Sequence, residues 1–191
     1  MKRIALVGGI GSGKSYAAKN FGYPVFNADD EVDKLYRTSK TCFKKINKAL
    51  PNLVVSYPIK KNEMTNAIIK NDLNLKKIVK IIHPLIRKKM NLFLKKMQSR
   101  KFIILDIPLL LENKLNNKND ILIFVQSNRA KIYKRLKKRK NFNYGLFKKF
   151  KKIQLPLEVK KKKCKYILKN NFTKLSLKKN IREILKKIKN D

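Results

Sequence analysis

Gly8-Gly9-Ile10-Gly11-Ser12-Gly13-Lys14-Ser15, set directly behind the apolar run Ile4-Ala5-Leu6-Val7, decides how the rest of the chain is read. It matches the strand, GxxxxGK[ST] loop and helix of a P-loop. Glycines let the main chain approach phosphate oxygens, the amides from Gly11 to Ser15 then point inward, and the helix opening behind them adds its positive end. The candidate nucleotide-binding residues are therefore Gly9, Gly11, Ser12, Gly13, Lys14, Ser15 and Tyr16. In this pattern Lys14 reaches the β and γ phosphates and Ser15 holds Mg²⁺. The implied ligand is a nucleoside triphosphate. An ordinary glycine-rich turn would not require strand, loop, lysine and serine in that order.

Outward from the loop, strand and helix signals alternate as a parallel sheet with crossover helices demands. Residues 3–7 read as the first strand, and the following helix carries Tyr16, Ala17, Ala18 and Phe21. Pro24-Val25-Phe26 reads as a short second strand ending at Asn27-Ala28-Asp29-Asp30. The next helix has Asp29 or Asp30 near its start, where a carboxylate suits the dipole, and Val32, Leu35 and Tyr36 on its apolar side. From residue 38 to 99 the sheet pattern pauses. Leu75, Ile78, Val79, Ile82, Ile86, Met90, Phe93 and Met97 recur at three and four residues, which predicts a long amphipathic helix or a helix pair. Pro84 lies inside that pattern and predicts a kink or break around His83-Pro84. The whole stretch reads as a substrate-covering insertion.

Phe102-Ile103-Ile104-Leu105-Asp106 restarts the sheet with the continuous apolar character of a strand covered on both faces, and residues 121–125 repeat it. Between them Pro108-Leu109-Leu110-Leu111-Glu112-Asn113 reads as a turn or short helix at the carboxyl end of a strand, where open α/β sheets place ligands. A strongly basic helix is expected over about 128–140, a less regular stretch over 141–145 and a further helix to about 152. Residues 165–168 read as the last strand, Asn170-Asn171 as a turn and 175–188 as a closing helix. No internal repeat is visible.

A chain of 191 residues with 43% hydrophobic content can bury the core of one α/β domain. Its net charge of +38 would ordinarily suggest a nucleic acid or anionic surface as partner. Lysine is instead spread over almost every polar face together with abundant Asn and Ile, so the charge reads as compositional bias rather than a basic stripe. The aromatic residues make no stacking platform, and a nucleic-acid role is not expected. Such a field would still draw in an anionic substrate. Cys42 and Cys164 form no CxxC and read as packing residues in a reducing cytosol. The apolar stretch after Met1-Lys2-Arg3 stops at Gly8, too soon for a secretory signal, and no run approaches the ~20 apolar residues of a membrane helix. A cytoplasmic monomer is expected.

Five patterns occur in a specific order: the P-loop, Asn27-Ala28-Asp29, His83-Pro84-Leu85-Ile86, residues 106–113 and Gln154-Leu155-Pro156-Leu157-Glu158. Together they resemble the dephospho-CoA kinase family over nearly the whole chain. The resemblance implies a three-layer P-loop kinase fold of class α/β, with a parallel sheet, a helical insertion over about 38–99 and a basic lid over about 128–152. It implies transfer of the ATP γ-phosphoryl group to the ribose 3′-hydroxyl of dephospho-CoA, with ATP and Mg²⁺ as cofactors, as the last step of coenzyme A biosynthesis. Asp29 matches the second acid of the family's DAD signature and would orient or deprotonate that hydroxyl, directly or through a Mg²⁺-bound water; a helix N-cap is the alternative. Asn27 replaces the first acid, so either that acid is dispensable or Asp30 compensates. Asp106 would face Mg²⁺, or make a structural salt bridge. His83 would orient a helix or touch substrate rather than act as base. Pro108, Leu109 and Leu110 would lie beside substrate, or in the core.

Arg135 and Arg139 stand where the family's lid arginines stand, four apart on one helical face, and would bind phosphate oxygens; solvated surface residues are the alternative. Lys140, Lys165 and Lys169 occupy places often held by acids. Asn170 and Asn171 would contact adenine or simply turn the chain. Two competing readings remain: another small-molecule P-loop kinase of the nucleoside monophosphate type, and a basic nucleotide-dependent nucleic-acid-binding protein.

Overall fold

The computed structural model describes residues 1–139 and 142–190. In chain order the elements are β1 (Lys2–Val7), α1 (Lys14–Asn20), β2 (Val25–Asn27), α2 (Ala28–Thr38) and α3 (Lys40–Ala49). They continue with α4 (Lys61–Lys70), α5 (Asp72–Lys96), β3 (Phe102–Asp106), β4 (Ile121–Gln126) and α6 (Arg129–Lys137). Last come α7 (Tyr144–Ile153), α8 (Leu157–Lys162), β5 (Tyr166–Lys169) and α9 (Lys174–Asn190). The chain forms two compact units. One contains Met1–Asn27, Met97–Phe142 and Lys151–Asp191; the other contains Ala28–Lys96 and Asn143–Phe150.

The first unit is built on a five-stranded parallel sheet in the order β2-β3-β1-β4-β5. Ile4, Leu6, Phe102, Ile104, Ile123, Val125 and Leu168 alternate along their strands and form one core with Ala17, Ala18 and Phe21 of the α1 segment and Leu177, Ile181, Ile184 and Ile188 of α9. The intervening Ala5, Ile103, Leu105 and Phe124 are also buried, so both sheet faces are covered. That is why these strands read as unbroken apolar runs. The parallel register sets Asn27, the last residue of β2, opposite Asp106, the last of β3. Carboxyl ends of strands are where such sheets carry their chemistry.

The second unit is a helical cluster with its own core, in which Leu35, Cys42, Ile46, Val54, Ala67, Ile78 and Ile82 come from four helices and the loop after α3. α5 runs unbroken from Asp72 to Lys96 with Pro84 inside it, against the expected break. Buried Ile78 and Ile82 before the proline, and partly buried Leu85 and Ile86 after it, hold both halves on the same core and offset the lost main-chain hydrogen bond. Other departures are local. The basic helix ends at Lys137, short helix α8 was hidden in a lysine run, and the last strand begins at Tyr166 rather than Lys165. Among the described residues no helix is long and apolar enough to cross a membrane.

Candidate active site

The loop between β1 and α1 is pinned on several sides. Gly13 lies in the left-handed region at φ 88 and caps α1, and a Cβ there would sit 2.4 Å from Asn170 Nδ2. Gly11, at φ 78, would drive a Cβ to 2.8 Å from the Ile132 side chain and 3.0 Å from Leu136. Only glycine meets both the backbone and the space requirement at these positions. The Ser12 carbonyl accepts from Asn170 Nδ2 at 2.9 Å and from Ser127 Oγ at 2.8 Å. Asn170 is 2% exposed, and its Oδ1 also accepts from the Phe172 amide at 3.0 Å. It therefore makes the expected turn and, beyond that, braces the loop. Asn171 makes a similar turn with the Thr173 amide.

Several features fit this loop to a chain of phosphates. α1 has no side-chain cap bond and no acid in its own first turn, which leaves its positive end suited to an anion. Lys14 Nζ donates to the Gly8 carbonyl at 3.2 Å and the Gly9 carbonyl at 2.9 Å, folded across the loop. Ser12 is 2% exposed, and its Oγ has no hydrogen-bond partner among the described residues. Ser15 and Tyr16, in the first turn of α1, are exposed.

Asp106 is 3% exposed, and its Oδ2 accepts from Asn27 Nδ2 at 3.0 Å. Asn27 thus pairs with the acid expected to face a cation, while Asp30 is exposed in the first turn of α2. No cluster of three or more His, Cys, Asp or Glu side chains that could hold a metal exists among the described residues. Mg²⁺ commonly takes one or two carboxylates plus substrate phosphates, so Asp106 and Ser15 remain chemically suitable ligands.

Residues 108–114 form the turn after β3, with Leu109 at φ 53 and the Leu115 amide bonded to the Leu110 carbonyl at 3.0 Å. Pro108 is exposed and Leu109 half-buried, but Leu110 is 3% exposed, so its side chain belongs to the interior rather than to a substrate surface. Glu112, within this turn, makes a contact that sequence reading missed. Its Oε1 pairs with Lys160 Nζ at 2.5 Å and accepts from the Leu155 amide at 3.0 Å, while its buried Oε2 has no partner among the described residues. Lys160 is 2% exposed. Within the run Lys160-Lys161-Lys162-Lys163 no local pattern marks which lysine turns inward. The pair fixes α8, whose Leu157 side chain lies 3.3 Å from where a Cβ on Gly9 would stand.

α6 is capped by Asn128, whose Oδ1 accepts from the Lys131 amide at 3.2 Å. Arg135 is exposed, with its Cζ 4.6 Å from the centroid of the Phe172 ring. Arg139 does not share its helical face, because α6 stops at Lys137 and the Arg139 amide bonds the Leu136 carbonyl in the closing turn. Lys140 and Asn141 lie outside the described residues.

In the helical unit, Asp29 is the second residue of α2 and exposed. Asp30 and Glu31 share its first turn. His83 is half-buried in α5 and lines an open groove of about 500 Å³ with Pro84, Arg87, Lys88, Asn91 and Lys95. Burial, and then the Arg87 charge, lower its pKa below the usual histidine range, leaving it neutral at pH 7. Cys42 is fully buried; burial pushes the Cys164 thiol up to about 12, and its Sγ bonds the Lys160 carbonyl. Both behave as packing residues.

The family model described as dephospho-CoA kinase matches residues 2–175. A dephospho-CoA kinase of Wolbachia pipientis wMel is 31% identical over 176 residues, covering 90% of each chain. One from Rickettsia conorii is 32% identical over 189 residues, covering 97% of each. Among solved structures, a dephospho-CoA kinase from Campylobacter jejuni matches with a TM-score of 0.65 at 20% identity, over 98% of this chain and 97% of that one. A shikimate kinase from Bacteroides thetaiotaomicron matches with a TM-score of 0.52 at 14% identity, over 98% of both chains. At these identities the structural likenesses speak for the fold.

Proposed function

The chain belongs to the dephospho-CoA kinase family, and on that premise we propose that it transfers the γ-phosphoryl group of ATP to the ribose 3′-hydroxyl of dephospho-CoA, giving CoA and ADP. The observation that carries the reading is the braced loop, with Lys14 bridging two of its carbonyls in front of an uncapped helix. A charge-assisted bond to a phosphate oxygen is stronger than a bond to a neutral carbonyl, so bound triphosphate draws Lys14 off Gly8 and Gly9. The loop amides and the end of α1 take the remaining phosphate charge.

Phosphoryl transfer asks the protein for positioning and charge stabilisation more than covalent chemistry. Asp29 orients the acceptor hydroxyl and receives its proton. Arg135 and Arg139, on the basic segment read as a lid, meet phosphate oxygens and help exclude water. His83, Pro108 and Leu109 contact the substrate, with Leu110 supporting the turn from beneath. Ser15 and Asp106 would hold Mg²⁺, which supplies neutralisation of the phosphate charge when bound. Asn27 donates to Asp106 without adding a second negative charge beside it. The +38 net charge favours capture of an anionic substrate. The enzyme so described is cytoplasmic and monomeric.

The test is ADP release by purified protein supplied separately with dephospho-CoA, with nucleoside monophosphates and with RNA. ADP formed with dephospho-CoA alone supports the proposal. Equal turnover with a nucleoside monophosphate, or ATP hydrolysis dependent on RNA, overturns it.

A further inference from the structure

We propose that Phe172 is a positioning residue whose ring holds the Arg135 guanidinium beside the phosphate loop. The inference rests on the reading of Arg135 as a phosphate contact. Its first support is the stack itself, with Arg135 Cζ 4.6 Å from the ring centroid. The second is where the ring lies: its edge comes within 3.4 Å of a Cβ built on Gly13, the residue that caps α1. The third is backbone strain. Phe172 sits at φ 70, in the left-handed region that bulky side chains avoid. The turn is held by the Phe172 amide and Asn170 Oδ1, a bond that any residue with a main-chain N–H would make. A glycine would satisfy the turn without strain, so what the phenyl ring contributes lies outside the turn.

Charge explains why a ring serves here. α6 carries Arg129, Lys131, Lys134, Arg135 and Lys137 and no acid, so neighbouring like charges disfavour any one fixed position of the Arg135 side chain. A carboxylate could anchor Arg135 but would neutralise it and occupy the N–H groups that grip phosphate. An aromatic face attracts the cation through its quadrupole and leaves charge and donor edge available. α6 is itself seated on the loop, because Ile132 and Leu136 fill the space at Gly11. Arg135 is therefore held relative to the loop at both ends, by its helix at Gly11 and by its stacking partner at Gly13.

The test uses the full chain and compares wild type with Phe172→Leu, Phe172→Tyr, Phe172→Gly, Arg135→Ala and the Arg135→Ala/Phe172→Leu double variant, each with ATP kinetics and a melting curve. Phe172→Leu keeps apolar bulk without a ring face and is expected to lower kcat/KM for ATP about two- to fivefold, the range of an exposed cation–π contact. Phe172→Tyr retains near wild-type kinetics. Phe172→Gly loses the same rate while its melting temperature holds or rises, because relief of strain opposes loss of packing. The double variant is no slower than Arg135→Ala. Wild-type kinetics in Phe172→Leu, losses that multiply in the double variant, or equal damage in the Leu and Tyr variants would each overturn the inference. If Arg135→Ala itself is silent, the reading of Arg135 falls and takes this inference with it; if it is damaging while Phe172→Leu is silent, only the inference falls.

Discussion

In the sheet unit the phosphate loop is held at Gly11 by Ile132 and Leu136, at Gly13 by Asn170 and at the Ser12 carbonyl by two donors. In the helical unit, two of the residues proposed to meet the acceptor are less buried: Asp29 is exposed in the first turn of α2, and His83 is half-buried along an open groove. The triphosphate is the same in every catalytic cycle, so a rigid cradle for it loses nothing and avoids reorganisation. The helical unit has its own core, and Asp29 and His83 project from its helices rather than from a loop joining a strand to a helix. Damage to the first region should therefore appear in both stability and rate. Damage to the second should appear in rate alone.

The largest expected effect is that of Lys14→Ala. Loss of a charge aimed at the transferred group should lower kcat by about 10²–10³-fold, with a lowered melting temperature as well, because the bonds that Lys14 makes to the Gly8 and Gly9 carbonyls go with it. Single-turnover ADP formation checks it. Asp29→Asn comes next, at least about tenfold in kcat, the low end of general-base effects, with an unchanged melting curve. A near-normal rate would remove Asp29 from the chemistry and break the proposed division of labour.

Asn170→Ala sharpens the comparison from the opposite side. It removes one of two donors to the Ser12 carbonyl and the turn bond to Phe172, and should cost about 1–2 kcal/mol in denaturant unfolding together with weaker ATP binding. Equal stability to wild type would mean that the loop is not braced from this side. Asn27→Asp places a second carboxylate against Asp106 and raises the pKa of one of them. The folded state then binds a proton more tightly than the unfolded state does, so the variant should lose stability relative to wild type as pH rises through that raised value. Melting curves across pH check this, and recovery on adding Mg²⁺ is the outcome expected if Asp106 faces the cation.

The smallest effect belongs to His83. Its folded pKa is depressed, so the unfolded chain takes up the proton first and stability declines as pH falls below about 6.5. His83→Gln should flatten that slope slightly. A large change would show His83 buried more tightly, or charged, in the folded protein.

Most of the architecture was legible locally. The P-loop, the apolar strands and the three-to-four-residue periodicity each encode backbone shape within a few residues, and they held when read against the fold. Pro84 misled because propensity treats the helix as isolated, whereas its two halves share one packed core. Arg139 misled because helical spacing says nothing of where a lysine-rich helix stops. Leu110 was ambiguous because an apolar residue in a turn can face either solvent or core, and burial decided it.

The amino-acid order by itself determined the phosphate loop, the run of elements and the family signature, because each is written in neighbouring residues and their period. Only the tertiary structure decided that Asn27 pairs with Asp106, 79 positions away, and that Asn170 holds Ser12 across 158. It likewise decided that Lys160 turns inward to Glu112 and that Arg135 rests on Phe172. Such contacts depend on which strands lie side by side and which side chains share a buried space, and no local pattern of residues carries that information.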